Sequence, residues 1–87
     1  MNRVEKLLRN NDLEEASYFI DEDYYDAIIG FTEDGRLVYS YTKMVNFLVD
    51  NNKMSEDEAV EFLDYNVVSI VKSMGENCPI IVYDLVE

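Results

Sequence analysis

The sequence predicts an α+β domain, a two-layer sandwich in which about four helices pack on a three-stranded, mainly antiparallel sheet. Apolar residues recur at helical spacing on both sides of a β-rich centre, which predicts helices before and after two strands. The dipeptide Asp34-Gly35 between those strands is a hairpin signal. The apolar segment 79–85 predicts a third strand, so the element order is α-α-β-β-α-α-β.

Two short helices are predicted before the sheet. Residues 2–10 carry an apolar stripe at helical spacing. Asp12 is a good N-cap, and Glu15 at the N3 position completes a capping box, so a second helix is expected from Asp12 to about Phe19 or Ile20.

The domain organisation follows from the length of the chain. Its 87 residues suffice for one domain. We expect residues 26–87 to form the core and residues 1–25 to form an acidic, helical extension of it.

The three strands are predicted from residue type. Residues 25–31 and 36–42 are rich in β-branched and aromatic residues, and they flank the hairpin signal. The third strand, 79–85, is almost continuously apolar, which predicts that both of its faces are covered. Its neighbour in the sheet is left open between the first and the second strand.

A helix over 43–51 and a longer helix up to Gly75 are predicted between the second and third strands. Ser55 and Glu58 form a capping box at the start of the longer helix, and Gly75 has the place of a C-cap. The β-branched residues after Asn66 weaken helix propensity, which predicts a kink or break there, with Asp64 or Asn66 capping the second half. In the alternative, Asp64, Tyr65 and Asn66 form a polar patch beside the helix.

The net charge of −12 indicates which partners are excluded. A field of this sign repels nucleic acid and anionic membranes and attracts a basic protein surface. Cys78 is the one cysteine, so no intramolecular disulfide forms, which favours a reducing compartment. The absence of a signal-peptide pattern and of a spanning apolar run predicts a cytoplasmic protein.

Metal binding and catalysis are disfavoured by residue type and spacing. An EF-hand loop needs a ligand at position 5 and glycine at position 6, and frames that start at Asp21 or Asp50 lack both. No histidine is present to activate Cys78 or to act as a general base. We therefore expect no catalytic residue, no metal site and no cofactor.

Two acidic blocks remain as the candidate interaction surface. Residues 10–35 contain nine acidic residues and no basic one, and residues 50–64 have a net charge of −5. Such a density of charge imitates a phosphate backbone, and adjacent tyrosines add area that stacks on arginine. The predicted partner-binding residues are Glu14, Glu15, Asp21, Glu22, Asp23, Tyr24, Tyr25, Asp26, Glu33, Asp34, Glu56 and Asp57.

Two interpretations without a binding role compete with the prediction of an acidic interaction surface. The charge can serve only to solvate a small domain, and the tyrosine pair can pack in the core. The alternative function is then a structural or regulatory module that self-associates through the hairpin, by Val38 with Tyr39 or Tyr41.

Residues 26–85 also resemble a family of small uncharacterised proteins of Firmicutes and their phages. The segments "DAIIGFTEDGRLVYSYTKMVNFLVD", "MSEDEAVEFLDYN" and "MGENCPIIVYDL" carry the resemblance. It implies a bacterial or phage origin and no catalytic residues, and the first 25 residues lie outside it. By analogy of size, charge and setting with anti-CRISPR and anti-restriction proteins, the leading hypothesis is a non-enzymatic nucleic-acid mimic that binds a host defence protein, such as a nuclease, in the bacterial cytoplasm.

Overall fold

The computed structural model describes residues 2–19 and 22–85, except for the side chains of Glu22, Asp23 and Lys72. The described elements are α1 (Arg3–Asn10), a 3₁₀ helix (Glu22–Ala27), β1 (Ile28–Phe31), β2 (Leu37–Ser40), α2 (Tyr41–Asn51), α3 (Glu56–Leu63), a π turn (Asp64–Val68), one α turn (Ser69–Val71), a 3₁₀ turn (Lys72–Met74) and β3 (Ile80–Val82). The α+β class is confirmed. The described part has three α-helices of eight residues or more, and the order is α-β-β-α-α-β rather than the predicted one.

The predicted helix over residues 12–20 is absent from the described part of that range, which forms a turn and irregular chain. Asp12 has a φ of 57°, in the left-handed region. The Leu13 amide donates to the Leu8 carbonyl at 2.8 Å, and the Asp12 amide donates to the Arg9 carbonyl at 3.3 Å. These are the two hydrogen bonds of a Schellman motif, so Asp12 ends α1 instead of starting a second helix.

The sheet is mixed, and the prediction of a mainly antiparallel sheet was wrong. Its strand order is β1-β2-β3, with β1 antiparallel and β3 parallel to β2. A parallel pair needs a long crossover, which α2 and α3 provide between β2 and β3. β3 is an edge strand, and all three of its residues are only partly buried, although its sequence predicted cover on both faces.

The core joins the central strand to all three helices. The buried side chains include Leu37 and Tyr39 of β2, Met44 of α2 and Leu63 of α3, none of them more than 1% exposed. From the N-terminal segment, Val4, Leu8, Ala16 and Phe19 join the same cluster. Ala16 and Phe19, which belong to the irregular segment before β1, therefore pack into the core without a helix.

Ser40 forms the junction between β2 and α2. Its hydroxyl accepts a hydrogen bond from the Lys43 amide at 3.2 Å and so caps α2. The same hydroxyl donates to the Asp84 carboxylate at 2.8 Å, and Ser40 is fully buried. The strand predicted to reach residue 42 thus ends at Ser40, and Tyr41 is the first residue of a helix.

The capping box at Ser55 and Glu58 is confirmed, and α3 runs from it to Leu63. The predicted weak point near Asn66 is confirmed as the π turn Asp64–Val68. Asp64 and Asn66 do not cap a helix there. The Asp64 carboxylate accepts a hydrogen bond from the Tyr41 hydroxyl, and the side-chain amide of Asn66 donates to the Phe62 carbonyl at 3.0 Å. Gly75, with a φ of 97°, ends the segment as predicted.

Candidate partner-binding surfaces

The acidic residues predicted to bind a partner are solvent-exposed wherever the structure describes their side chains. This group contains Glu14, Glu15, Asp26, Glu33, Asp34, Glu56 and Asp57. Asp21 lies outside the described residues, as do the side chains of Glu22 and Asp23. The described acids fall into two groups, one near the hairpin and one along α3.

The two adjacent tyrosines have different environments. Tyr24 is 6% exposed and makes edge-to-face contacts with Phe19 and Phe47, both at 6.2 Å between ring centroids. Tyr25 is partly buried, and the guanidinium of Arg3 lies 4.4 Å from its ring centroid. Tyr24 therefore packs in the core, as the competing interpretation stated, and it offers no surface to a partner.

An acidic concavity of about 390 Å³ brings together parts of the chain that are distant in sequence. Its acidic residues are Asp12, Glu14, Glu15 and Asp34, and no basic residue lines it. The Ser17 amide donates to the Asn77 carbonyl at 3.1 Å, which ties this segment to the loop before β3. Asp12 was not among the predicted partner-binding residues, because it was expected to be the N-cap of a helix.

A second acidic surface, the α3 face, consists of Asp57, Glu58, Glu61, Phe62, Asp64 and Tyr65, all of them exposed. Tyr65 is 79% exposed and Phe62 is 37% exposed. The shallow depressions on this face are lined by no basic residue, and they share no lining residue with the acidic concavity. Glu61, Phe62, Asp64 and Tyr65 were not among the predicted partner-binding residues. Glu61 and Phe62 were given no role beyond the helix, and Asp64 was expected to cap a helix or to join Tyr65 in a polar patch.

Two groups on or beside the α3 face, Glu58 and Tyr41, have shifted pKa values. The Ser55 amide donates to the Glu58 carboxylate at 3.1 Å and lowers the pKa of that carboxyl group. The nearby Ser55 side chain lowers this pKa further, so Glu58 stays ionised. Burial raises the pKa of Tyr41 to about 12, and its hydrogen bond to Asp64 adds to the rise. The phenol of Tyr41 thus remains a neutral donor, 2.9 Å from the Asp64 carboxylate.

An apolar groove of about 280 Å³ lies between α1 and β1. It is lined by Leu7, Asn11, Leu13, Ile28, Ile29, Gly30, Phe31 and Leu37. Ile29 is 48% exposed and Phe31 is 53% exposed. These are the exposed apolar residues of the hairpin, whereas the predicted contact residue Tyr39 is 1% exposed and Tyr41 belongs to α2.

Within the residues that the structure describes, no group of three or more His, Cys, Asp or Glu side chains is arranged to hold a metal ion. No helix in this part of the chain is long and apolar enough to cross a bilayer.

The resemblance of residues 26–85 to small Firmicutes and phage proteins stays a prediction. Its segments fall on the hairpin with α2, on α3 with the start of the π turn, and on β3 with the loop before it. Searches against protein-family models, curated proteins and solved structures gave no match to this chain.

Proposed function

We propose that this chain is a non-enzymatic acidic protein-binding module of the bacterial cytoplasm. It occupies the basic, nucleic-acid-binding surface of a host protein by imitating a phosphate backbone, as phage-type inhibitors of CRISPR or restriction nucleases do. Its partner is a basic protein rather than a nucleic acid or a membrane, since its net charge of −12 repels both of these.

The spacing of charge on α3 and its π turn carries this proposal. Four carboxylates of the α3 face lie between Asp57 and Asp64, and no basic residue interrupts them. At a helical rise of about 1.5 Å per residue they span about 10.5 Å, or one charge per roughly 2.5 to 3.5 Å. One strand of duplex DNA carries a charge about every 3.4 Å. The α3 face thus offers a basic groove a charge density close to that of a nucleic-acid strand.

Exposed aromatic residues distinguish this face from a merely solvating one. A solvated helix face needs only polar groups, yet Tyr65 and Phe62 are exposed beside Glu61 and Asp64. A tyrosine ring between carboxylates suits an arginine of the partner, which stacks on the ring and donates to the acids. Tyrosine and arginine are also the residue types that dominate binding energy at interfaces.

A capture experiment with two matched charge variants tests the proposal. The variant Asp57→Asn/Glu61→Gln removes two charges from the α3 face. The control Asp50→Asn/Glu76→Gln removes two exposed charges elsewhere, so both variants change the net charge from −12 to −10. We expect the immobilised chain to capture a bacterial nucleic-acid-binding protein at low salt, the control to retain it, and the α3-face variant to lose most of it.

Added duplex DNA separates mimicry from other modes of acidic binding. Because the mimic and the nucleic acid compete for one basic surface, DNA should release the captured protein, and moderate salt should do so as well. Capture that persists in DNA and salt, or that both variants retain in full, contradicts the proposed function.

Self-association is the second candidate function, and the exposure of Ile29 and Phe31 favours it. Both residues lie on an edge strand, where apolar side chains are a common site of pairing between chains. Sedimentation at two protein concentrations tests it: a concentration-dependent dimer supports self-association, and a monomer at both concentrations rules it out.

A further inference from the structure

We propose that the apolar groove between α1 and β1 binds an extended segment of the partner protein, in which apolar side chains alternate with basic ones. The segment pairs with the free edge of β1 and inserts its apolar side chains into the groove. This inference rests on the proposed function, because it names the part of a basic partner that the chain recognises.

The backbone of β1 is open to such pairing. β1 is the first strand in the sheet order, and among the described strands it pairs only with β2. The second edge of β1 therefore presents backbone donors and acceptors that an incoming strand can satisfy, which is the mode of β-strand addition. A Cβ atom added at Gly30, in the middle of β1, would meet nothing within 4 Å, so the face of the strand is also uncrowded at this residue.

The groove provides places for alternate side chains of that strand. The register between β1 and β2 shifts between Ile28 and Gly30, and Ile28, Ile29 and Phe31 all line the groove as a result. Leu7 and Leu13, from α1 and the turn after it, form the opposite wall. Since alternate residues of a strand point to one face, every second residue of the segment enters an apolar site.

The charges around the groove select a basic segment. Exposed Asp26 precedes β1, and exposed Glu33 and Asp34 follow it at the hairpin tip. Leu13 also lines the acidic concavity, which therefore opens beside the groove. The α1 wall is different, because it carries three exposed basic residues, Arg3, Lys6 and Arg9. The basic side chains of the segment are thus expected at the two ends of β1, away from α1.

The same charges disfavour a second copy of this chain as the occupant. Antiparallel pairing of β1 with β1 of another copy brings Asp26 of one chain towards Glu33 and Asp34 of the other. Like charges opposite each other across a strand pair are destabilising, and each copy also carries a net charge of −12. A basic partner relieves this repulsion and a second copy adds to it.

The test uses three short synthetic peptides and the full chain. The first alternates valine with arginine, the second has the same composition with all valines before all arginines, and the third alternates valine with glutamate. We expect the first to bind about tenfold more tightly than the second, because only alternation fills the groove and meets the acids together. Its binding should shift the amide NMR signals of Ile28–Phe31, and the third peptide should not bind.

Two serine variants with matched exposure locate the site. Ile29 and Ile70 are both 48% exposed, and Ile70 lies outside the groove. Ile29→Ser should weaken binding of the valine–arginine peptide about fivefold, because it removes apolar area that the peptide covers, and Ile70→Ser should leave binding unchanged. Phe31→Ser is a second variant of the groove, with the same expected direction as Ile29→Ser.

Each alternative outcome overturns the inference. Equal binding of the alternating and block peptides, or equal effects of Ile29→Ser and Ile70→Ser, shows that charge alone attracts the peptide. A dimer in sedimentation that Ile29→Ser abolishes makes a second copy the occupant. None of these results contradicts the proposed function if added DNA still releases the captured host protein. Capture that persists in DNA and in moderate salt contradicts the proposed function, regardless of how the peptides bind.

Discussion

Asp12 and Lys53 share a backbone conformation that L-residues seldom adopt. Both have a φ of 57°, and each lies just beyond the end of a helix, Asp12 after α1 and Lys53 after α2. Aspartate tolerates the left-handed region better than most residues because its short polar side chain can bond locally. The residue type is compatible with a helix start and a helix end alike, which is why the sequence pattern at Asp12 predicted the wrong one.

Replacing Asp12 by glycine should stabilise the fold. Glycine has no Cβ penalty at this φ, so we expect Asp12→Gly to raise the free energy of unfolding by about 0.5–1 kcal/mol in urea titrations. Asp12→Asn is the control, since asparagine also tolerates the left-handed region and should change stability little. Destabilisation by glycine would mean that the Asp12 carboxylate itself supports the turn.

Two tyrosines make stability sensitive to alkaline pH. Burial raises the pKa of Tyr39 to about 12, against a smaller lowering by its hydrogen bond from the Phe19 amide, and burial followed by Asp64 raises the pKa of Tyr41 to about 12. An unfolded tyrosine ionises near pKa 10. The folded chain therefore keeps protons that the unfolded chain releases, so this stability is complete below pH 10 and is lost as pH rises towards 12.

Tyr39→Phe separates the two contributions. We expect the free energy of unfolding of the wild type to fall steeply between pH 10 and 12, and that of Tyr39→Phe to fall less steeply. The variant should also be less stable at neutral pH, because the Phe19 amide loses its acceptor in the core. Identical pH slopes for the two proteins, measured by denaturant unfolding at each pH, would contradict the assignment to Tyr39.

At the scale of elements, the two serine N-caps were predictable to different degrees. Ser55 has Glu58 three residues later, so both partners of its capping box are visible in the sequence. Ser40 follows a run of β-forming residues, so the local pattern extended β2 beyond it, although its cap to the Lys43 amide is only three residues long. The second hydrogen bond that holds Ser40, to Asp84 in the segment after β3, is distant in sequence and had no local signal.

Because Ser40 is a buried cap and Ser55 is an exposed one, we expect unequal effects of their alanine variants on stability. Ser40→Ala should lower the free energy of unfolding by about 2–3 kcal/mol, since it removes a buried cap and leaves Asp84 without its donor. Ser55→Ala removes an exposed cap and should lower it by about 1 kcal/mol. Urea titration of both variants measures the difference, and equal losses would show that the Ser40–Asp84 hydrogen bond adds nothing.

Sheet topology was the least predictable property at this scale. The hairpin of β1 and β2 is local, and Asp34-Gly35 predicted its turn correctly. β3 joins β2 after a crossover through two helices, and nothing in its apolar sequence distinguishes a parallel from an antiparallel partner. The π turn was predictable in part. The β-branched residues predicted a weak helix there, but the sequence did not predict the hydrogen bonds that Asp64 and Asn66 make in this turn.

For the whole molecule, charge was the most predictable property and surface grouping the least. The composition predicts the net charge of −12, and the order of the residues predicts two acidic blocks. The fold brings Asp12, Glu14 and Glu15 together with Asp34 in the acidic concavity, and it places Tyr65 beside the acids of the α3 face. The apolar groove was not visible in the sequence, because its walls come from α1, from the turn after it and from the hairpin.

Self-repulsion should make thermal stability rise with salt. The molecule measures 36 × 28 × 24 Å. The Debye length is about 30 Å at 0.01 M salt and about 8 Å at 0.15 M, so repulsion spans the whole molecule only at low salt. We expect the midpoint of thermal unfolding, followed by circular dichroism, to rise by several degrees between these conditions. Asp50→Asn/Glu76→Gln, with two charges fewer, should show a smaller rise, and a fall with salt would mean that attractive ion pairs dominate.

The short parallel strand β3 has a consequence for how the domain opens. Only Ile80, Ile81 and Val82 pair with β2, across a long crossover, so closing this loop is entropically costly and the pairing should be the last to form and the first to break. Amide hydrogen exchange should then be faster in β3 than in the hairpin. While β3 is detached, the central strand of the sheet becomes an edge, and at high concentration this transient state is where intermolecular aggregation would begin.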